Sequence, residues 1–281
     1  MAGPWLSYLI CSTPRSGSTL LCEAMSNTEI AGRPEEYYQQ RKKTGLPRRP
    51  REYFEDAETA EIIAILGDET RVDDEPGTFN SRRFDDYADY LAWTIEQATT
   101  PNGVFGAKVM WGYFNGFISG LQELPGKANL ARSDLLPSVF PNLRYVSVTR
   151  TDKIRQAVSL WKALQTWTWR RDPSDGEVVH GDLQYSFDAL DHLVRTLETE
   201  ERAWVDYFAE CGAEPYVVVY ERFAEDHEGV VLEIIDFLGI DRGTGVRFRA
   251  PEMARQADAL SDEWIARYSA ERERRAAEPH P

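Results

Sequence analysis

The sequence predicts an α/β fold with a P-loop-like, central, mostly parallel β-sheet that carries helices on both faces. Four short apolar runs have the pattern of buried strands, and segments whose apolar residues recur at helical spacing lie between them. Because parallel strands are joined by long, usually helical crossovers, this alternation favours a parallel sheet. At 281 residues and 42% hydrophobic content the chain can bury a full α/β core, and we expect a single domain over residues 1–281.

The individual elements follow from local patterns taken in chain order. Apolar runs predict strands at 5–11, 104–110, 143–149 and 215–220. Helical spacing predicts helices at 20–25, 51–66, 83–98, within 112–136, after the N-cap Asp152, and at 186–210, 227–239 and 261–274. One further helical turn is predicted at 35–40. Prolines break the region around 31–55, which we interpret as a substrate-binding insertion.

The charge balance and the cysteines exclude several classes of protein. The chain has 47 acidic and 32 basic residues and a net charge of −15, whereas nucleic acids and anionic membranes are bound by clustered basic residues. It has no apolar run of about 18 residues and no basic leader, so we expect no membrane insertion and a cytoplasmic location. Cys11, Cys22 and Cys211 show neither metal-ligand spacing nor even pairing, which favours a reduced cytoplasmic compartment.

Residues 12–21 (STPRSGSTLL) join the first predicted strand to the first predicted helix and have the composition of a phosphate cradle. The backbone N–H groups of a first helical turn have no partner inside the helix, and the helix dipole adds partial positive charge there. Gly17 lets an anion approach the backbone, and Arg15 supplies a full charge. The residues expected to bind the anion are Thr13, Pro14, Arg15, Ser16, Gly17, Ser18 and Thr19.

This loop differs from the nucleoside-triphosphate motif G-x-x-x-x-G-K-[ST] in two places. Aligned on Gly17 and Thr19, the first glycine of the motif is Ser12 and its lysine is Ser18. The missing lysine argues against an ordinary ATPase or GTPase. A P-loop small-molecule kinase or NTPase that relies on Arg15 stays open as an alternative, as does a non-catalytic nucleotide-binding protein.

Other candidate site residues lie where predicted strands end, because ligands of parallel sheets bind at the carboxyl ends of the strands. Arg150 ends the third strand and Ser159 lies in the next helix, so the two could hold one phosphate from two sides. Tyr220 follows the fourth strand and could stack on a base, although core packing explains it equally well. An ion pair between Arg150 and Asp152 is the structural alternative at the third strand.

Four segments resemble the family of sulfotransferases that use 3′-phosphoadenosine 5′-phosphosulfate (PAPS): residues 10–20 (ICSTPRSGSTL), 32–37 (GRPEEY), 149–159 (TRTDKIRQAVS) and 255–258 (RQAD). Within the family the resemblance is to bacterial enzymes that sulfate trehalose at its 2-position. Eight residues separate Arg150 from Ser159, where the family pattern has seven.

The resemblance implies a sulfotransferase-type fold, PAPS as the sulfuryl donor and no metal. It implies that the loop binds the 5′-phosphosulfate, that Arg150 and Ser159 bind the 3′-phosphate, and that Tyr220 lies near the adenine. It further implies a homodimer whose product, trehalose 2-sulfate, serves sulfolipid biosynthesis. A sulfotransferase with a different carbohydrate acceptor stays open.

Sulfuryl transfer to a sugar hydroxyl needs a general base for the hydroxyl proton and positive charge near the leaving phosphate. Many cytosolic sulfotransferases place a histidine after a strand lysine, but here the strand around Lys108 has no histidine. The resemblance assigns the base to Glu36, with His180 as the alternative. Lys108 and Arg15 are the candidates for neutralising charge. The residues predicted to bind the sugar are Arg33, Pro34, Glu35, Glu36, Tyr37, Tyr38, Gln39, Arg48 and Tyr53.

Overall fold

The computed structural model describes residues 3–39, 49–67, 84, 86–169, 183–243, 248 and 259–277. Its strands are β1 (Leu6–Ser12), β2 (Val104–Met110), β3 (Arg144–Thr149) and β4 (Tyr216–Val219). Its first helices are α1 (Ser18–Asn27), a 3₁₀ helix (Pro50–Phe54), α2 (Ala60–Leu66), α3 (Tyr87–Ala98), α4 (Trp111–Gln122) and α5 (Arg132–Val139). The others are α6 (Lys153–Thr166), α7 (Phe187–Cys211), α8 (Tyr220–Glu225), α9 (His227–Leu238) and α10 (Ala259–Ala277). Arg48, His180 and the 255–258 segment lie outside the described residues.

The four strands form one sheet in the order β2-β1-β3-β4, and all three pairings are parallel. The register places Ile10 of β1 opposite Lys108 of β2, and Cys11 opposite Ser147 of β3. All seven residues of β1 are buried, as expected for a parallel strand covered on both faces. The predicted α/β fold is therefore confirmed.

Alternation along β1 divides the core into two layers. Leu9 and Cys11 face an aromatic cluster that includes Phe114 of α4 and Trp204 of α7. Tyr8 and Ile10 lie on the other face of β1 and form a second cluster with α1 and α9. The helices contribute Leu21, Met25, Ile234 and Ile235 to this cluster. Because successive side chains of a strand point to opposite faces, helices cover both sides of the sheet.

The described residues group into two compact units. The first, within Met1–Pro47, Asp74–Thr151 and Glu200–Pro251, contains the whole sheet. The second, within Arg48–Asp73, Asp152–Thr199 and Glu252–Pro281, is helical. The single domain over residues 1–281 and the insertion around 31–55 stay predictions.

The second unit has its own core. The ring of Phe54 meets the indole of Trp161 edge to face, with 5.7 Å between centroids, and Trp161 Nε1 donates a hydrogen bond of 2.9 Å to the carbonyl oxygen of Gln184. Tyr268 donates to Asp191 Oδ1 at 2.9 Å, which ties α10 to α7. Such pairings satisfy the polar ends of large rings while their apolar faces are buried.

Two predicted elements differ from the structure. The helix predicted over 51–66 is a short 3₁₀ helix followed by α2, because Thr59 caps α2 by accepting a hydrogen bond from the Ile62 N–H at 3.2 Å. The helical turn predicted at 35–40 is wrong over the described residues 35–39. The Lys108 N–H donates to the Glu35 carbonyl at 2.9 Å, so this segment pairs with the exposed edge of β2 instead. Edge pairing outweighs an isolated helical turn, which is unstable alone.

Candidate active site at the carboxyl end of the sheet

The turn between β1 and α1 has the backbone shape that an anion cradle requires. Arg15 and Gly17 both adopt left-handed conformations, with φ of 61° and 89°. The Leu21 N–H makes the first helical hydrogen bond, to the Gly17 carbonyl at 3.1 Å. The N–H groups of residues 18–20 therefore lie at the helix start, where the helix offers them no carbonyl acceptor.

Two serine hydroxyls at this turn, those of Ser12 and Ser16, are buried. Ser12 Oγ and Ser16 Oγ have no hydrogen-bond partner in the described part of the chain. Leaving a buried hydroxyl unsatisfied costs about 1–3 kcal/mol, so such groups usually meet a ligand or water. An oxyanion with several acceptor oxygens, such as a phosphosulfate, fits this turn.

Tyr220, the first residue of α8, packs against the same turn. A Cβ atom on Gly17 would overlap its ring, so only glycine allows this contact. The guanidinium carbon of Arg150 lies 4.6 Å from the Tyr220 ring centroid, and Arg150 Nη1 donates to the Arg15 carbonyl at 3.1 Å. Cation–π contact and hydrogen bond together hold Arg150 beside the cradle, as predicted for a strand-end arginine.

The two arginines concentrate positive charge at the turn. The pKa of Arg15 is lowered to about 10, first by burial of its guanidinium and then by the positive charge of Arg150. Arg15 stays protonated at neutral pH, but the two like charges repel each other. A bound anion would relieve this repulsion, which makes the turn an electrostatically suited anion site.

Lys108 joins the anion cradle to Glu36. Its ammonium Nζ lies 2.7 Å from Glu36 Oε2 and donates to Thr19 Oγ1 at 3.1 Å. The lysine is only 3% exposed, whereas the Glu36 side chain is 25% exposed. A buried ammonium with a carboxylate and a hydroxyl as partners meets the requirement that buried charges be paired. Polar contacts therefore connect three predicted site residues, Thr19, Lys108 and Glu36.

The residues around Glu36 alternate between surface and core. Arg33, Glu35 and Gln39 are exposed, and Pro34 is buried. The rings of Tyr37 and Tyr38 are buried in the aromatic cluster, and Tyr38 stacks on Phe117 with 4.3 Å between centroids. Tyr37 donates to the Arg33 carbonyl at 2.9 Å. The contacts of these residues with a sugar stay predictions.

Two predicted site residues lie in the second unit. Ser159 is half-buried in α6, and its sharing of a phosphate with Arg150 stays a prediction. The half-buried Tyr53 lies 6.2 Å, between ring centroids, from the exposed Trp169. The Tyr53 carbonyl oxygen lies 2.9 Å from His192 Nε2, so its backbone is fixed.

Three further residues lie at the carboxyl end of the sheet, and sequence reasoning missed two of them, Trp204 and Tyr113. Trp204 donates from Nε1 to the Ser12 carbonyl at 3.0 Å and so holds the end of β1. Glu221 accepts from the Thr151 N–H at 3.2 Å and from its hydroxyl at 2.9 Å, which fixes the turn after Arg150. Tyr113 lies in the first turn of α4, with its hydroxyl buried. The sequence pointed to Glu221 alone, because it follows Tyr220 at the end of the fourth predicted strand.

The described residues contain neither a membrane-spanning helix nor a cluster of metal ligands. None of their helices is both long and apolar enough to cross a bilayer. Over the same residues, no three or more histidine, cysteine, aspartate or glutamate side chains form a group that could hold a metal ion.

Comparison with known proteins gives full-length relatives. The chain is 34% identical over 271 residues to a trehalose 2-sulfotransferase of Mycobacterium tuberculosis, covering 94% of each chain. It is 33% identical over 273 residues to a trehalose 2-sulfotransferase of Mycolicibacterium smegmatis, covering 95% of this chain and 96% of the relative. A solved sulfotransferase from Alicyclobacillus acidocaldarius aligns with a TM-score of 0.46 and 14% identity, over 100% of this chain and 98% of that one.

A family model described as Stf0 sulphotransferase matches residues 7–271. The match includes the anion cradle and Glu36, and the alignments with the two relatives cover 94% and 95% of the chain. The resemblance found in the sequence is thereby confirmed at the level of the family: the chain belongs to the Stf0 sulfotransferases.

Proposed function

We propose that this chain transfers the sulfuryl group of PAPS to the 2-hydroxyl of trehalose. The contact that carries the proposal is Lys108 Nζ, which touches both Thr19 of the anion cradle and the Glu36 carboxylate. A cradle for the leaving group and a base for the acceptor must be adjacent for an in-line transfer. The names of the two relatives supply the acceptor, and family membership supplies the reaction class.

In this proposal the cradle holds the 5′-phosphosulfate. Ser12 and Ser16 supply hydroxyls that have no hydrogen-bond partner among the described residues, and the N–H groups at the start of α1 supply further donors. Arg15 and Arg150 supply positive charge. Arg150 with Ser159 is assigned to the 3′-phosphate, and Tyr220 to the neighbourhood of the adenine. PAPS, when bound, supplies the sulfuryl group, whose bond to the phosphate oxygen breaks as a bond to the acceptor oxygen forms.

Glu36 is proposed as the general base. A partly exposed carboxylate at the edge of the sheet can reach an acceptor hydroxyl and take its proton, which contributes about 10²–10⁴-fold to the rate. Lys108 lies between the base and the cradle. When Glu36 becomes neutral by taking the proton, the Lys108 charge is left to balance the negative charge that develops on the leaving phosphate side.

Three further properties are part of the proposal: the family resemblance implies the homodimer and the sulfolipid role, and the cysteine pattern favours the cytoplasmic location. The enzyme is a cytoplasmic homodimer, and its product serves sulfolipid biosynthesis. Light scattering of the purified protein tests the dimer, and a mass near twice 32.1 kDa is expected. A monomer at working concentrations would contradict the homodimer.

Thermal shift tests the donor. The desulfated product, adenosine 3′,5′-bisphosphate (PAP), should raise the melting temperature in the presence of EDTA, because the cradle uses protein donors and charges. ATP with Mg²⁺ is the comparison. If ATP–Mg²⁺ stabilises the protein and PAP does not, a kinase or NTPase replaces the sulfotransferase proposal.

A further inference from the structure

Trp169 is an exposed tryptophan whose ring lies beside that of Tyr53. Trp169 is 37% exposed, and Tyr53 is half-buried. The two ring centroids lie 6.2 Å apart, and the ring planes differ by 31°. Paired aromatic rings have centroids about 4.5–7 Å apart, so these two rings form one aromatic surface that is partly open to solvent. Both residues belong to the second, helical unit.

The backbone that carries Tyr53 is fixed by the core of the second unit. The Tyr53 carbonyl oxygen lies 2.9 Å from His192 Nε2. The next residue, Phe54, is fully buried, and its ring meets the Trp161 indole edge to face with 5.7 Å between centroids. Since both contacts anchor the 3₁₀ helix, a ligand on the Tyr53 ring does not have to order the backbone beneath it.

The turn that carries Trp169 is also held by hydrogen bonds. The Thr168 N–H donates to Thr166 Oγ1 at 3.2 Å, and the Thr168 hydroxyl donates to the Thr166 carbonyl at 3.3 Å. Gln165 donates from Nε2 to the Gln184 carbonyl at 3.0 Å and accepts from the Gln184 N–H at 2.8 Å. The end of α6 therefore presents the Trp169 indole from an ordered backbone.

A partly exposed aromatic surface of this kind fits the apolar face of a pyranose ring. The axial C–H groups of a glucose ring point to its two faces, and the negative face of an aromatic ring attracts them. Adenine would also stack on aromatic rings. We assign the pair to the sugar, because Tyr53 is already predicted to bind the acceptor and Tyr220 is predicted to lie near the adenine.

We propose that Trp169 is a substrate-binding residue that, together with Tyr53, stacks on one pyranose ring of the sugar acceptor. The proposal rests on the proposed function, because the transferase reaction supplies the sugar. The contact is apolar, so it stabilises the bound substrate and the transition state alike and takes no part in proton transfer. Uniform binding of this kind lowers KM and leaves kcat unchanged.

Trp169→Leu tests the proposal, since it removes the aromatic face and keeps an apolar side chain. The KM for trehalose should rise roughly 5- to 100-fold, the size of an aromatic stacking contact, with kcat within about threefold of the wild-type value. Trp169→Phe keeps a ring and should stay within about threefold of the wild-type KM.

Trp167→Leu is the matched control. Trp167 is also 37% exposed and lies in the same turn, but among the described residues the Tyr53 ring pairs with Trp169 and not with Trp167. The control should therefore keep the wild-type KM for trehalose.

Calorimetric titration of trehalose into PAP-bound protein measures binding without turnover. The Kd for trehalose should rise in Trp169→Leu by the same factor as KM, while PAP affinity stays within about twofold. Adding Tyr53→Leu should weaken binding by less than the product of the two single effects, because the two rings form one surface. A full product would mean that the rings act separately and would contradict the shared surface.

Failure of this proposal can be told apart from failure of the proposed function. A wild-type KM and Kd in Trp169→Leu would overturn the stacking role, as would an equal rise in Trp167→Leu. If Trp169→Leu fails to bind PAP, Trp169→Met replaces it with the same expected and overturning results. If wild-type protein sulfates no sugar, the proposed function falls and the acceptor role of Trp169 falls with it. If wild-type protein sulfates trehalose and Trp169→Leu behaves like it, only the stacking role falls.

Discussion

The anion cradle at 12–19 and the segment at 33–39, which we propose to bind the acceptor (the acceptor segment), are connected through Lys108 and are built in different ways. The cradle is fixed by its own backbone, with Arg15 and Gly17 in left-handed conformations and its serines buried. The acceptor segment is fixed by its neighbours, since Glu35 pairs with the edge of β2 and Tyr38 stacks on Phe117. Binding of the donor should therefore depend on backbone shape, whereas chemistry on the acceptor should depend on single side chains.

The largest effect is expected on the acceptor side. Glu36→Gln should lower kcat by at least about 100-fold, because the amide cannot take the hydroxyl proton, while PAP affinity stays within about twofold. Glu96→Gln, at an exposed carboxylate in α3, is the control and should keep full activity. Steady-state kinetics and PAP titration give both numbers. Retained turnover in Glu36→Gln would remove Glu36 as the base.

The second-largest effect is expected on PAP binding by the anion cradle. Gly17→Ala should weaken PAP binding at least tenfold and destabilise the fold, because the new Cβ overlaps Tyr220 and the residue has a φ of 89°. Gly126→Ala is a matched control with a φ of 74° and no atom within 4 Å of the new Cβ. It should lose about 1–2 kcal/mol of stability from backbone strain alone and bind PAP normally.

Thermal unfolding and PAP titration of both glycine variants provide the comparison. Equal PAP affinity in the two variants would mean that contact with Tyr220 does not shape the cradle.

The smallest effect is a pH dependence of donor binding. The pKa of Arg15 is about 10, so its charge is complete at pH 7 to 8 and is lost as the pH rises through 10. PAP affinity should accordingly be constant near neutrality and weaken above about pH 9. An anion favours the charged guanidinium, so binding should be accompanied by proton uptake in that range. Calorimetry in buffers of different ionisation enthalpy measures the uptake, and its absence at pH 10 would contradict the role of Arg15.

The sequence revealed what depends on short-range chemistry. The cradle could be predicted because Gly17 and the serines follow an apolar strand, and Arg150 because it ends another strand. The sheet followed from four apolar runs, and the N-cap at Asp152 is confirmed by its 2.8 Å hydrogen bond from the Arg155 N–H.

Contacts between residues far apart in the chain could not be predicted from local sequence patterns. The non-helical path at Glu35 depends on the edge of β2, which lies some 70 residues later in the chain. The hydrogen bond from Trp204 to the Ser12 carbonyl joins two residues that no local pattern connects. Burial of Tyr37 and Tyr38 depends likewise on α3 and α4, because alternation in a short segment does not say which face will be covered.

Transfer of labelled sulfuryl from PAPS tests the central claim most directly. Wild-type protein, in EDTA, should label trehalose in preference to glucose and maltose, with the sulfate on the 2-position, and Glu36→Gln should not label it. Absence of label on every sugar, together with normal PAP binding, would contradict the account and leave a nucleotide-binding protein without transferase activity.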